Sequence, residues 1–337
     1  MQVVLLVGGM GTRLRPLTYD TPKPLLPVLN RPLVAHILER LPKRVDEVLL
    51  TVSYRSDDLR EWIRTSDDPS LDGRTVHVID EPEPLGTAGA VKNCTDRLDD
   101  TFLVLNGDLV SDLDIGAHIE THGKRGAAGS LALHAVEEVS RFGVVDWTPA
   151  TGRIHAFVEK PAPGTEPSRY VNAGAYVLEP EVLDLIPEGR PVSLEHEVFP
   201  RLVEDVHGLY GFPFKGLWID CGTPASYLDI HEALLDRADI HNLIGPGTGY
   251  DAERMKVEAS VVGAGVKLGD GVRLDRSVVH DGAVIGAGVR LVRSVIGRKA
   301  QVAPRCVLTD VVVGPGSVVQ APEPLEGVRV GMRDPST

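Results

Sequence analysis

The first 235 or so residues alternate short apolar runs with amphipathic stretches. Residues 2–7, 47–52, 75–79 and 101–105 are nearly continuous aliphatic runs of strand length, which predicts buried strands. Between them, residues 32–41, 57–64 and 87–98 space their apolar positions as helices do. Such alternation predicts βαβ units and a parallel sheet covered on both faces. Residues 130–136, 143–147, 154–158 and 171–178 then follow with few helices between them, which predicts mixed pairing in that part of the sheet. Residues 224–238 predict a closing amphipathic helix.

The rhythm changes after residues 242–250, a stretch bearing Gly and Pro that reads as a joint. From Val262 the chain repeats with a period of 17: VGAGVKLGDGVRLDRSV, then VHDGAVIGAGVRLVRSV, then IGRKAQVAPRCVLTDVV, and a further copy opens at Val313. Aliphatic residues recur within each copy at steps of about six, beside Gly and other small residues. A regular repeat marks a solenoid, in which each unit buries its face against its neighbours. Steps of six imply three short faces per coil, hence a β-helix; a run of hairpins would not hold the 17-residue register through three copies. The expected division is therefore residues 1–240 as an α/β domain, 241–253 as a linker, 254–321 as the β-helix and 322–337 as a tail.

Composition narrows the partners. The 337 residues carry a formal net charge of −13, which argues against a general nucleic-acid binder, because phosphate backbones call for a basic surface. A nucleotide needs only a local basic site and stays open. No stretch approaches a membrane span, and the N-terminal apolar run is too short for a signal sequence and has no basic flank. Cys94, Cys221 and Cys306 lie far apart and show no metal-ligand spacing, so free thiols in a reducing cytoplasm are the expectation.

The chemistry gathers in motifs. After the first strand comes Gly8-Gly9-Met10-Gly11-Thr12-Arg13-Leu14-Arg15-Pro16-Leu17-Thr18, then Pro22-Lys23-Pro24-Leu25-Leu26-Pro27-Val28. A Gly-rich turn leaving a strand lets backbone N–H groups approach phosphate oxygens. Arg13 adds a planar fork and Lys23 a point charge. The loop is neither a P-loop nor GxGxxG. Asp108 falls at the carboxyl end of a predicted strand, where open α/β sheets place ligands, and Asp220 is its distant carboxylate counterpart. Mg²⁺ takes one or two carboxylates and completes its octahedron with water and substrate phosphates. A lone strand-end Asp is more often a cap or turn former, the reading given to Asp112 and Asp114. Glu159 and Lys160 are adjacent, so a regular strand would point them to opposite faces. They act together only if the strand ends or bends there, and Pro161 makes that plausible.

The long glycine string and the PKPLLPV that follows it closely resemble the signature of the sugar-1-phosphate nucleotidyltransferases. The resemblance continues in order through Glu81-Pro82-Glu83-Pro84-Leu85-Gly86-Thr87-Ala88-Gly89, Leu105-Asn106-Gly107-Asp108, Phe142-Gly143-Val144-Val145, Val158-Glu159-Lys160-Pro161, Val171-Asn172-Ala173-Gly174 and Trp218-Ile219-Asp220-Cys221-Gly222. It implies a Rossmann-like mixed-sheet nucleotidyltransferase domain, and many members carry a left-handed β-helix of hexapeptide repeats. It also implies that Gly8 and Gly9 lie under the base, with Glu81 and Gly86 in the base-recognition segment. Gly11, Thr12 and Arg13 would wrap the phosphates, and Lys23 would stand beside the reacting phosphoryl group. Gly143, Glu159, Lys160 and Asn172 would hold the sugar phosphate, and Asp108 and Asp220 would bind Mg²⁺.

A carboxylate at Glu81 can accept from the adjacent N1–H and N2–H₂ of guanine, and the string EPLGTAG resembles mannose-1-phosphate guanylyltransferases. The expected reaction is therefore transfer of a nucleotidyl group from GTP to mannose 1-phosphate, releasing pyrophosphate, with Arg13, Lys23, Lys160 and the metal offsetting the repulsion between the two substrates. Glucose 1-phosphate with UTP or dTTP is the alternative within the class. A non-catalytic, nucleotide-sugar-binding regulatory subunit is the alternative outside it, although the charged residues of the signature are intact. Acyl transfer, another activity of β-helices, would need a base, and His280, the solenoid's one histidine, occupies a position filled by Val or Ile in its sister copies. The solenoid's exposed end edges predict a homo-oligomer.

Overall fold

The computed structural model describes residues 1–333 and divides into two compact units. The first comprises Met1–Gly9 and Ala35–Trp218; the second comprises Met10–Val34 and Ile219–Thr337, of which 334–337 lie outside the described residues.

The first unit is built on one mixed nine-stranded sheet. Its strands are β1 (Gln2–Leu6), β2 (Glu47–Val52), β3 (Thr75–Asp80), β4 (Phe102–Asn106), β5 (Gly129–Ala135), β6 (Gly143–Trp147), β7 (Ile154–Glu159), β8 (Tyr170–Leu178) and β9 (Leu209–Phe214). The order is β7-β6-β8-β4-β1-β2-β3, and β5 lies between β8 and β9. β1 runs parallel to β2 and β4, and β2 parallel to β3, while β8 is antiparallel to β4. The aliphatic runs are continuous because both faces are covered: Val3, Val4 and Leu5 of β1 are fully buried. At β3, an edge strand, Thr75 and Asp80 are exposed.

Parallel pairing aligns the carboxyl ends. Leu6 pairs with both Thr51 and Asn106, so the chain leaves β1, β2 and β4 along one edge. This edge is where an open α/β sheet takes its ligands.

Helices α1 (Leu33–Glu39), α2 (Ser56–Thr65), α3 (Gly86–Lys92) and α6 (Pro224–Arg237) occupy the stretches whose periodicity predicts them. Two helices and a strand have no such forecast. α4 (Ile115–Arg125) has full capping, with Asp114 Oδ1 accepting from the Ala117 amide at 2.9 Å and Gly126 left-handed at its end. Its buried face, however, includes His118 and His122, which blur the apolar period. α5 (Phe199–Glu204) is short, and β9 contains Gly211 and Pro213, residues that read against a strand; Pro213 is tolerated because β9 is an edge.

The second unit holds the solenoid. Three parallel sheets of six, five and four short strands stack at a spacing of 17 residues, so Val261 pairs with Val278, Val278 with Val295 and Val295 with Val312. Its extent differs from the expected 254–321. Leu243–Ile244, read as linker, already pairs with Val261–Val262 as the first rung, and Leu325–Glu326 and Arg329–Val330, read as tail, extend the stack at the other end.

One corner recurs at Ala259, Arg276, Arg293 and Asp310, all with φ between 44 and 51°. Such backbone costs a non-glycine residue on the order of 1–2 kcal/mol. A ladder of buried serines lies beside it. Ser260 Oγ accepts from the Ser277 amide at 2.9 Å, Ser277 Oγ from the Ser294 amide at 3.1 Å, and Ser294 Oγ from the Val311 amide at 3.1 Å. Each hydroxyl also donates to a carbonyl of its own corner, as Ser277 does to Asp275 at 2.8 Å.

Replacing Ser277 by Ala strands the buried Ser294 amide and is expected to lower stability by about 1–3 kcal/mol, read as a drop in the thermal midpoint. An unchanged midpoint would mean that the corner does not depend on the hydroxyl.

Candidate functional site

The expected site residues fall in both units. In the first unit, Gly8 and Gly9 leave the carboxyl end of β1. The Val7 amide donates to Thr51 O at 3.2 Å, and Ser53 Oγ donates to Gly8 O at 2.5 Å. On its Cβ side, Gly9 meets nothing within 4 Å, so a flat ring has room to approach the backbone there. Glu81 follows β3 and lies next to this turn: a Cβ placed on Gly8 would meet Glu81 Oε1 at 3.2 Å.

Glu81 is only 8% exposed. Burial raises its carboxyl above the usual carboxylate range, opposed by hydrogen bonds from the Leu85 amide (3.1 Å to Oε2) and the Thr51 side chain. One oxygen thus braces the 81–85 turn, while the other is the one beside Gly8. Gly86 then opens α3 with φ +72°, and any Cβ there would meet Val192 O at 2.6 Å, which leaves the position to glycine.

Asp108 is half-buried in the turn that follows β4, and the Gly107 amide donates to Leu6 O at 3.0 Å, tying this turn to the end of β1. The two aspartates read as structural behave so: Asp114 caps α4, and Asp112 Oδ2 accepts from the Leu217 amide at 2.8 Å.

The sugar-phosphate candidates gather where β6, β7 and β8 meet. β7 ends at Glu159, and Lys160 turns into left-handed backbone at φ +48°. That break brings two neighbours of opposite facing together: Lys160 Nζ lies 3.2 Å from Glu159 Oε1, with the lysine side chain 64% exposed and the glutamate 14%. A Cβ on Gly143 would meet Glu159 Oε2 at 2.7 Å, so Gly143 makes room for this carboxylate. Asn172 is held at both ends of its amide, with Oδ1 accepting from the Gly174 amide at 3.0 Å and Nδ2 donating to Tyr176 OH at 2.9 Å. One Nδ2–H of Asn172 remains to be directed by these two bonds.

In the second unit, Gly11 (φ 61°) opens a single 3₁₀ turn, Thr12–Leu14, which the buried Leu14 anchors, and Thr18 Oγ1 donates to Gly11 O at 2.8 Å. Arg13 is largely exposed. Lys23 begins another such turn, Lys23–Leu25, between Pro22 and Pro24, and is 9% exposed. Both cations converge on Asp220 at the end of the short strand Trp218–Asp220, with Arg13 Nη2 at 3.8 Å from Oδ2 and Lys23 Nζ at 3.8 Å from Oδ1. Gly222 completes this cluster, because a Cβ there would meet Asp220 Oδ2 at 2.6 Å and Arg13 Nη2 at 2.9 Å. The sequence string contained Gly222, but nothing in it marked this contact.

The segment Met10–Val34 is bound to the solenoid within the same unit. Asn30 Nδ2 donates to Val262 O at 3.0 Å, Arg329 Nη1 to Arg15 O at 2.8 Å and Arg333 Nη2 to Asp20 Oδ1 at 2.5 Å, while Arg333 stacks over Tyr19 at 4.9 Å. His280 is buried against Tyr227, with Nε2 3.0 Å from the phenol, and burial lowers its pKa to about 4. It is a packed histidine rather than an accessible base.

Cys94, Cys221 and Cys306 are all buried free thiols, and none of the described helices is long and apolar enough to cross a membrane. Among the described residues no group of three or more His, Cys, Asp or Glu is placed to hold a metal ion, so an all-protein cage is not offered. A hard cation sharing one or two carboxylates with substrate phosphates suits the donors that are present.

Comparison with known proteins identifies the family. Residues 2–237 match the model of the nucleotidyl transferase family. The chain is 38% identical over 280 residues to a protein of Arabidopsis thaliana named "Probable mannose-1-phosphate guanylyltransferase 2", a span of 81% of this chain and 76% of that one. It is 36% identical over 289 residues to the mannose-1-phosphate guanylyltransferase of Mycobacterium tuberculosis, covering 82% of this chain and 78% of that one. Among solved structures, HddC of Yersinia pseudotuberculosis in complex with GMP-PN aligns over 69% of this chain and 99% of its own, at 28% identity and a TM-score of 0.58. The chain belongs to the nucleotidyl transferase family and is an enzyme of nucleotidyl transfer.

Proposed function

We propose that the enzyme transfers a guanylyl group from GTP to mannose 1-phosphate, giving GDP-mannose and pyrophosphate. The observation that carries the base is the buried Glu81 carboxylate beside Gly8, an acceptor suited to the two adjacent donors of guanine. The names of the Arabidopsis and Mycobacterium relatives, and the GMP-PN held by HddC, support the same choice.

In this reading the amides of Gly11 and Thr12 receive the triphosphate, and Arg13 and Lys23 neutralise it. Glu159 takes sugar hydroxyls, Lys160 and the Gly143 backbone receive the sugar phosphate, and Asn172 bonds the sugar. An oxygen of the sugar 1-phosphate attacks the α-phosphorus and pyrophosphate leaves, so the residues act by positioning and charge neutralisation. Asp108 and Asp220 would hold Mg²⁺, which would supply further neutralisation of the developing charge. A reducing cytoplasm suits the three free thiols.

We also infer a homo-oligomer formed through the solenoid, whose last coils expose Val318, Val328 and Met332. Gel filtration is expected to return a multiple of the chain mass, and a monomer would remove this inference.

Pyrophosphate release, measured with GTP, UTP, dTTP, ATP and CTP against mannose and glucose 1-phosphates, is expected only with both partners present and best with GTP and mannose 1-phosphate. A blank grid from folded protein would favour a regulatory, non-catalytic role. Asp108→Ala is expected to cut turnover on the order of 10²- to 10³-fold while leaving the thermal midpoint in place; retained activity would remove it as a ligand.

Glu81→Gln is expected to shift preference from GTP toward UTP or dTTP. Because burial raises the carboxyl of Glu81, its contribution to stability is present below the unfolded-state pKa and is lost as pH rises through the folded one. The Gln variant is therefore expected to melt slightly higher than wild type at neutral pH, a difference that closes in acid. An unchanged nucleotide profile would mean that the base is read elsewhere.

A further inference from the structure

The carboxylate of Glu195 has no place in the expected site, yet three side chains donate to it. Thr87 Oγ1 donates to Oε2 at 2.7 Å, Ser193 Oγ to Oε2 at 2.7 Å and Tyr176 OH to Oε1 at 3.3 Å. Thr87 stands in the EPLGTAG segment. Its hydroxyl also accepts from the Leu194 amide at 2.8 Å, and the Val192 amide donates to Leu85 O at 2.8 Å, so this segment is stitched to residues 192–195. Tyr176 is fully buried on β8, four residues beyond Asn172, and desolvation together with the charge of Glu195 raises its phenol well above the usual range.

The direction of donation is the informative part. An ionised carboxylate can only accept. Tyr176 therefore spends its one proton on Glu195 and faces Asn172 as an acceptor, so the amide nitrogen of Asn172 points at the phenol. The opposite end agrees, since the Gly174 amide needs the oxygen of Asn172. The Gly174 amide fixes which way round the Asn172 amide sits, and the pair Glu195–Tyr176 keeps an acceptor in front of its Nδ2, which decides where the remaining N–H is directed.

We propose that Glu195 is a positioning residue for the sugar 1-phosphate, acting through Tyr176 to hold the nitrogen of the Asn172 amide in place. This rests on the reading of Asn172 as a sugar contact. A glutamine at 195 keeps the volume but can present N–H₂ to Tyr176. The phenol proton is then released toward the Asn172 amide nitrogen, which loses its acceptor while the Gly174 amide still holds the oxygen. Substrate binding, rather than the phosphoryl chemistry, should suffer.

The test is steady-state pyrophosphate release with each substrate varied in turn, for wild type, Glu195→Gln, Tyr176→Phe and the double variant. Turnover by the wild type with a sugar 1-phosphate comes first, because its absence would sink the functional reading rather than this inference. Glu195→Gln is expected to raise KM for the sugar 1-phosphate on the order of tenfold while KM for the nucleotide changes less than about twofold. The double variant should match Tyr176→Phe alone, since both act through one phenol, and Glu195→Asp, which keeps the acceptor, should recover part of the loss. Equal changes in both KM values, additive losses or an unchanged Glu195→Gln would each overturn the proposal. If Glu195→Gln does not fold, Tyr176→Phe alone must show the same selective rise in KM.

Discussion

The parallel pairing of β1 with β2 and β4 is the constraint on which the first unit's chemistry depends. It brings the carboxyl ends at Leu6, Thr51 and Asn106 into one row, and every turn that leaves the row carries a candidate residue or its brace. Gly8 leaves β1, Ser53 leaves β2 and bonds Gly8 O, Glu81 leaves β3, and Asp108 leaves β4. Aliphatic side chains fix the strands, and the backbone register then decides which turns become neighbours.

A second device recurs where the chain breaks its own regularity. β7 stops at Glu159, and the left-handed Lys160 brings two adjacent side chains to one side. Gly86 takes a backbone closed to other residues so that α3 can start hard against Val192. At the solenoid corners the same left-handed conformation recurs at Arg276 and Arg293, beside serine hydroxyls that satisfy the amides around it. Strain of this kind is tolerated where hydrogen bonds over-determine the backbone.

Much of this was legible in the sequence because it is written in local pattern. The strand at residues 47–52, the 17-residue repeat and the glycine string each show themselves within a short window. The illegible parts depend on partners distant in the chain. α4 hid behind His118 and His122, whose burial rests on tertiary contacts such as those with Ser130. The first rung, at Leu243–Ile244, looked like linker because its pairing partner lies 18 residues on. Glu195 stood in no motif, since nothing local shows that Thr87 and Tyr176 donate to it. The grouping of Met10–Val34 with the solenoid was equally invisible, because Arg15 and its partner Arg329 are 314 residues apart.

That last separation bears on how the protein is made. Residues 10–34 are synthesised some 300 residues before their partners Arg329 and Arg333. The strands of the first unit pair at shorter range and can settle while the chain is still growing, as domains generally do. The segment bearing Arg13 and Lys23 must wait, and closing so long a loop is slow. A chain that stops short of its last coil carries the whole nucleotide signature without the bonds that Arg329 and Arg333 make to Arg15 and Asp20.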